Sequence, residues 1–238
     1  VCLFSLCNSL HAENTADEDY PGWDLISPET KEKCKSVENI SLPPHPQTLE
    51  ALDGCDADAL YYGFSQAPDY AKALACAEAN KAYDVLTMLY ANGKGVTRNL
   101  DIAIHYACKA GWAPAEIMGR VKHLSDLKIG NPPQKEFDFC DDITSGYMMG
   151  HCTAIQARFK EAKRKNDLHS LMSSWTSEEH KEFEKLQKAF ESFVEERMGE
   201  IDMSGTARAM FLIEEENSLE DSFLKIINLT FIPDEVII

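Results

Sequence analysis

Positive charge is what this 238-residue chain has least of: 23 Lys and Arg face 40 Asp and Glu, a formal net charge of −17. Such a field repels phosphodiester backbones and anionic lipid surfaces. It argues against nucleic acid and leaves a cationic partner, or plain solubility, as what the charge can serve. Several chemical signatures are also missing. No G-x-S-x-G elbow and no phosphate-cradling glycine loop occurs. His105, His123, His151, His169 and His180 show neither H-E-x-x-H nor any paired-ligand spacing, so a metal site is not expected. No two cysteines are spaced C-x-x-C, which argues against a zinc ribbon or a thioredoxin-like centre. Neighbouring carboxylates such as Asp141-Asp142 and Glu214-Glu215-Glu216 are what acidic helix surfaces produce freely. The expectation is a chain that is not an enzyme and holds no cofactor.

What is present begins with Val1 to Ala12, an apolar stretch without charge, followed by acidic sequence from Glu13 to Asp19. Residues 1–12 read as the remnant of a secretory signal peptide cleaved near Ala12, and they are too short to span a bilayer. Cys7 follows Leu6, where a lipoprotein signal wants Gly or Ala, so no lipid anchor is expected. Export suits the cysteines. With Cys2 and Cys7 removed, Cys34, Cys55, Cys76, Cys108, Cys140 and Cys152 remain, an even set for an oxidising compartment. A periplasmic or secreted location without a transmembrane segment follows as the expectation.

Residues 13–54 carry Pro21, Pro28, Pro43, Pro44 and Pro46, too many for long helices. They read as an irregular wrap pinned by Cys34, with Trp23 docked on the helices that follow. From residue 55 the pattern changes. Leu86, Leu89 and Tyr90 share one helical face. Asn92, Gly93 and Gly95 end that helix because they tolerate positive φ. Asp101 is placed to cap the next helix, on which Ala103, Ala107 and Ala110 form a small-residue stripe. Upstream, Leu60-Tyr61-Tyr62-Gly63 echoes the first helix, and Asp69 to Cys76 echoes Asp101 to Cys108 across a shorter turn without the glycine pair. Ala113 to Met118 opens a third copy whose second helix is never completed. The hairpin also bears on the cysteines. Cys55 lies at the start of one helix and Cys76 near the end of its antiparallel partner, so these ends should meet. Six cysteines allow fifteen connectivities; after Cys55–Cys76 the order of preference is Cys140–Cys152, then Cys34–Cys108 by elimination.

The tract Leu89, Tyr90, Gly93, Gly95, Val96, Ala103, Ala107, Ala110 and Gly111 resembles the Sel-one-like repeats, relatives of the tetratricopeptide hairpins. The resemblance implies a helical solenoid over 55–127, about two and a half units long, whose groove is a working surface for proteins. Residues 128–136, with Gly130 and Pro132-Pro133, read as a linker.

The remainder, 137–238, is acidic, with 22 Asp and Glu against 11 Lys and Arg from residue 136 onward. Met148, Cys152, Ile155 and Phe159 make one apolar stripe, and Leu168, Leu171 and Met172 make another. Thr176 to Glu179 is a capping box. Phe183, Leu186, Phe190, Phe193 and Arg197 then alternate by three and four, the seam of a bundled helix. Gly205 breaks that run before a third helix with Met210, Phe211, Leu219, Phe223 and Ile227. Ser145 to Cys152, Leu168-His169, Leu186 to Phe190 with Phe193, and Ser204-Gly205-Thr206 together resemble the bacterial exported domain named for the LprI lysozyme inhibitor, over about 137–228. Val194 and Met198 stand where that family has Arg and a third cysteine, and a fourth cysteine is absent too. Their joint loss implies that those two pair with each other, which supports Cys140–Cys152. The fold class expected is all-α: a short helical-hairpin solenoid followed by a small helical-bundle domain, stapled by disulfides.

The resemblance implies a non-enzymatic protein that binds a protein partner, a cationic lysozyme or another cell-wall hydrolase. An inhibitor would need a protruding element, for which the loop Asn166 to Ser174 and the turn Asp202 to Thr206 are the candidates. The alternatives are a periplasmic envelope adaptor using the repeat groove, and an immunity protein against a toxin delivered to the periplasm.

Overall fold

The computed structural model describes residues 22–44, 54–129 and 135–231. The expected signal remnant, 1–12, lies outside them, as do most of the apolar tail and the Gly130 to Pro133 stretch. The protein is all-α. Among the described residues the helices are α1 (Pro28–Val37), α2 (Ala57–Tyr62), α3 (Tyr70–Asn80), α4 (Tyr83–Asn92), α5 (Leu100–Lys109), α6 (Pro114–Ile129), α7 (Gly146–Met172), α8 (Ser177–Gly199) and α9 (Arg208–Thr230), with short 3-10 turns at Trp23–Leu25 and Phe139–Asp142. The chain divides into two compact units, 1–144 and 145–238.

In the first unit each helix from α2 to α6 packs on the next in sequence, and α2 also touches α4. The helices end where the sequence offers residues that accept positive φ. Gly63 (φ 65°) closes α2 and Gly93 (φ 70°) closes α4. The two hairpins repeat in register. Asp69 N–H donates to Leu60 O at 2.9 Å, and Asn99 N–H donates to Tyr90 O at 2.9 Å. The caps correct the sequence alignment. Asn99, not Asp101, caps α5, its side chain accepting from the N–H groups of Asp101 and Ile102. Its counterpart is therefore Asp69, which caps α3, and the turns Gly63 to Asp69 and Gly93 to Asn99 have equal length. Asp101 sits in the first turn of α5, where it joins Lys128 at 2.6 Å and Lys33 at 3.6 Å.

The segment read as irregular, 13–54, contains a ten-residue helix. Proline did not forbid it because Pro28 occupies a first-turn position, where its missing N–H is no loss, and Ser27 caps the helix. α1 packs on α5 and α6. The disulfide Cys34–Cys108 fixes it to α5, and Cys55–Cys76 closes the α2–α3 hairpin. Cys140 and Cys152 are also disulfide-bonded. The first unit continues to Thr144, past the expected linker 128–136 and the domain start at 137. The reason is that Phe137 and Phe139 are buried in it, 2% and 1% exposed.

In the second unit α9 packs along α7, while α8 meets α9 over a shorter stretch. Gly146 and Gly150, one turn apart on α7, allow that approach. A Cβ on Gly146 would lie 2.4 Å from the Thr206 backbone, and one on Gly150 would lie 2.8 Å from Ala209 Cβ. Arg164 then reaches from α7 to Asp221 at 2.8 Å and to the buried Asn217 at 3.0 Å on α9. The capping box forms as read, with Thr176 and Glu179 reciprocally bonded. The α8 seam is displaced from the expected one. Phe183 and Val194 are buried, and Phe190 stacks on Phe223 at 4.1 Å. Leu186 and Phe193 are instead 43% and 51% exposed. The periodicity was right and its phase was off, because Val194 fills the seam position that Phe193 was expected to fill.

Candidate functional site

The repeat-motif residues build architecture rather than a surface. Leu89, Tyr90, Ala103 and Ala107 are at most 1% exposed. Gly93, Gly95 and Gly111 all have φ near 70°. Gly95 also lies against Tyr70, whose Cβ would be 2.8 Å from an added Cβ. A side chain here would be strained by the backbone and blocked by the neighbour.

Two places bring chemistry together. The first lies in the first unit, where residues 136–144 run across α2, α4 and α6. Asn92 at the end of α4 donates to Phe137 O at 2.8 Å and accepts from Phe137 N–H at 2.8 Å. The same amide donates to Tyr61 Oη on α2 at 3.1 Å. Lys94 reaches Glu136 at 2.6 Å while lying 5.3 Å from the ring centres of both Tyr61 and Tyr70. From α6, Glu116 accepts from Thr144 N–H at 2.8 Å, and His123 Nδ1 meets Asp142 at 2.9 Å. Arg120 lies 3.7 Å from the ring centre of Phe139 and directs Nε at the Phe139 carbonyl at 3.5 Å. Its guanidinium is fully buried, with Nη1 and Nη2 making no hydrogen bond and Glu116 3.8 Å away. Burial pushes Arg120 down to about 10, against the pull of Glu116. Burial likewise raises the Tyr61 hydroxyl above its usual range.

The second place is a groove of about 480 Å³ in the second unit, lined by Arg197, Glu200, Ile201, Asp202, Phe211, Glu214 and Glu215. It lies where α8 ends and α9 begins. Phe211 is 55% exposed, and Met203 in the adjoining turn is 51% exposed. The cation in its lining is already engaged: Arg197 reaches Glu215 at 2.9 Å and Glu200 at 3.5 Å. Carboxylate is therefore in excess, beside the apolar side chains of Phe211 and Ile201.

Of the two candidate protruding elements, Asp202 to Thr206 is the non-helical connection beside this groove, with Gly205 at φ 83° and Asp202 accepting from Ser204 N–H. The other, Asn166 to Ser174, is not a loop. α7 continues through it to Met172, because nothing between Asn166 and Met172 breaks a helix. Sequence reasoning missed Asn92, Glu116 and Arg120. Their signal was available: polar residues sit at otherwise apolar helical positions, and two of them bear charge. Among the described residues, no group of three or more His, Cys, Asp or Glu is placed to hold a metal ion. No helix there is long and apolar enough to cross a membrane. Compared with protein-family models, curated proteins and solved structures, the chain matches none.

Proposed function

We propose that this is an exported, non-enzymatic binding protein for a cationic protein, and that a lysozyme or a related cell-wall hydrolase is its partner in the sharpest form of that reading. The observation that carries it is the groove at Phe211, in whose lining four carboxylates accompany the single cation Arg197 beside Phe211 and Ile201. A partner lysine or arginine could lay its aliphatic stem on Phe211 and Ile201 and present its charge to Glu214, Glu200 and Asp202. The surrounding acidic chain would steer a cationic partner towards it and speed encounter. The disulfides suit an exported protein. The resemblance of residues 137–228 to the LprI-type domain supports the same partner class, and that of 55–127 to Sel-one-like repeats supports a protein-binding scaffold.

The test is to titrate the oxidised protein into c-type and g-type lysozymes acting on peptidoglycan. The expected result is inhibition that saturates near one to one, survives moderate salt, and is lost in E214K/E215K. Inhibition abolished by salt alone would reduce the interaction to long-range attraction. No inhibition of either lysozyme would sink the named partner.

A further inference from the structure

We propose that the exposed stripe Leu186, Ala189 and Phe193 on α8 is a dimer interface, packed antiparallel on the same stripe of a second copy about a two-fold axis beside Ala189. This does not rest on the groove at Phe211.

α8 is the thinly covered helix of the second unit. It meets α9 over a shorter stretch than α7 does, and two of its 23 residues are buried. α9 lies along one flank of it, where Phe183 and Val194 are buried and Phe190 stacks on Phe223. Leu186, Ala189 and Phe193 follow one another at intervals of three and four, so they share a different stripe. Ala189 is exposed, and Leu186 and Phe193 are 43% and 51% exposed. Apolar residues at this spacing suit the seam of a second helix.

The exposed charges around the stripe, Glu182, Lys185, Glu196 and Arg197, identify that helix. Turned antiparallel about an axis beside Ala189, Leu186 meets Phe193 of the second copy, and Glu182 meets its Arg197. Lys185 and Glu196 lie on one flank of the stripe, the flank away from α9. A two-fold axis across antiparallel helices brings like flanks together, so Lys185 faces Glu196 of the second copy, and each contact occurs twice. Parallel pairing would instead set Glu182 on Glu182 and Arg197 on Arg197. The stripe is therefore self-complementary in one direction only. Within one copy Lys185 reaches Glu182 at 2.5 Å and Arg197 reaches Glu215 at 2.9 Å. Exposed pairs of this kind contribute little and can be shared. Two copies of a chain with net charge −17 also repel one another. The dimer should therefore tighten as salt rises, the reverse of binding to a cationic protein.

Sedimentation equilibrium of the full-length oxidised protein, from about 2 to about 500 µM, tests this. The expected result is a monomer–dimer equilibrium, weak because the interface is small, that leaves the chain monomeric at about 2 µM. It should be at least threefold tighter in about 0.5 M than in about 0.05 M salt. F193A should weaken dimerisation at least tenfold, with melting curves at the lowest concentration checking that it is folded. K185E, at an exposed position, should weaken it at least threefold, and K185E/E196K, which restores the wild-type net charge, should recover it. If F193A does not fold, the charge variants decide. A chain that stays monomeric throughout the range overturns the proposal. Unchanged dimerisation of a folded F193A overturns it too, by placing the contact on another face. So does a double variant that fails to recover what K185E loses, because the antiparallel register would then be wrong.

Discussion

The two units use helices in opposite ways. In the first unit, seven of the ten residues of α4 and eight of the ten of α5 are buried. In the second, two of the 23 residues of α8 and two of the 23 of α9 are buried. Short helices turned by glycine or asparagine can be covered on nearly every side, so almost any apolar residue finds a partner. Long helices meeting along one seam cover a single stripe and leave the rest to water. The lesson concerns where function can be placed: the large apolar residues that the first unit exposes, Leu25, Leu42 and Ile129, lie outside α2 to α5, whereas the second exposes Phe211, Ile226 and Leu229 along α9, at 55%, 58% and 63%.

The comparison breaks if large-to-small changes cost the same in both regions. Ile104→Ala, at a fully buried site in α5, should lose about 2–5 kcal/mol in denaturant unfolding. Phe193→Ala, half-exposed on α8, should stay within about 0.5 kcal/mol. A large loss at Phe193 would mean that this face is covered.

The disulfides sharpen the picture of the first unit. Cys34–Cys108 closes a separation of 74 residues and Cys55–Cys76 one of 21. Loop-closure entropy makes C34S/C108S the more damaging pair, about 4 against about 3 kcal/mol. The reverse order would show that the α2–α3 hairpin depends on its staple for more than entropy. In the second unit, Gly150→Ala should cost about 1–3 kcal/mol by pushing α9 away from α7. A neutral result would show that α9 can shift without loss.

The smallest expected effect is on pH. His105 of α5 is buried, which holds its pKa below the usual histidine value despite the 2.9 Å contact of Nδ1 with Val37 O. Lys109 opposes its protonation and Glu38 favours it. The unfolded chain therefore binds this proton more readily than the native one. Stability from this site is complete above pH ~6.5 and falls as pH drops towards the folded value, by at most about 1.4 kcal/mol per unit. His105→Asn should flatten that part of the profile, as thermal melts between pH 7 and 5 would show.

Much of the helical layout was legible because its causes are local. Gly63, Gly93 and Thr176 act within a few residues of themselves, and capping chemistry is readable at that range; Ser27 acts as locally, but the prolines around it masked the helix it caps. Asn99 shows the limit. Both it and Asp101 are competent caps, and two residues of uncertainty shifted the apparent match between the hairpins. The candidate sites were less legible. Asn92 reads as a helix stop, and only its approach to Phe137, 45 residues later, makes it a backbone clamp. Glu116 and Arg120 were not singled out in the sequence, yet both are fully buried.

By itself the sequence determined that the chain is helical, where α4 ends and α8 begins, that its field is negative and that its cysteines are even in number. These properties depend on composition or on neighbours within one turn. Tertiary structure alone decided which flank of α8 faces inward, that residues 137–144 belong with the first unit, and that Arg120 lies beneath Phe139. A helical period defines a stripe, but burial depends on what arrives from elsewhere in the chain, and that information is spread over residues far apart in sequence.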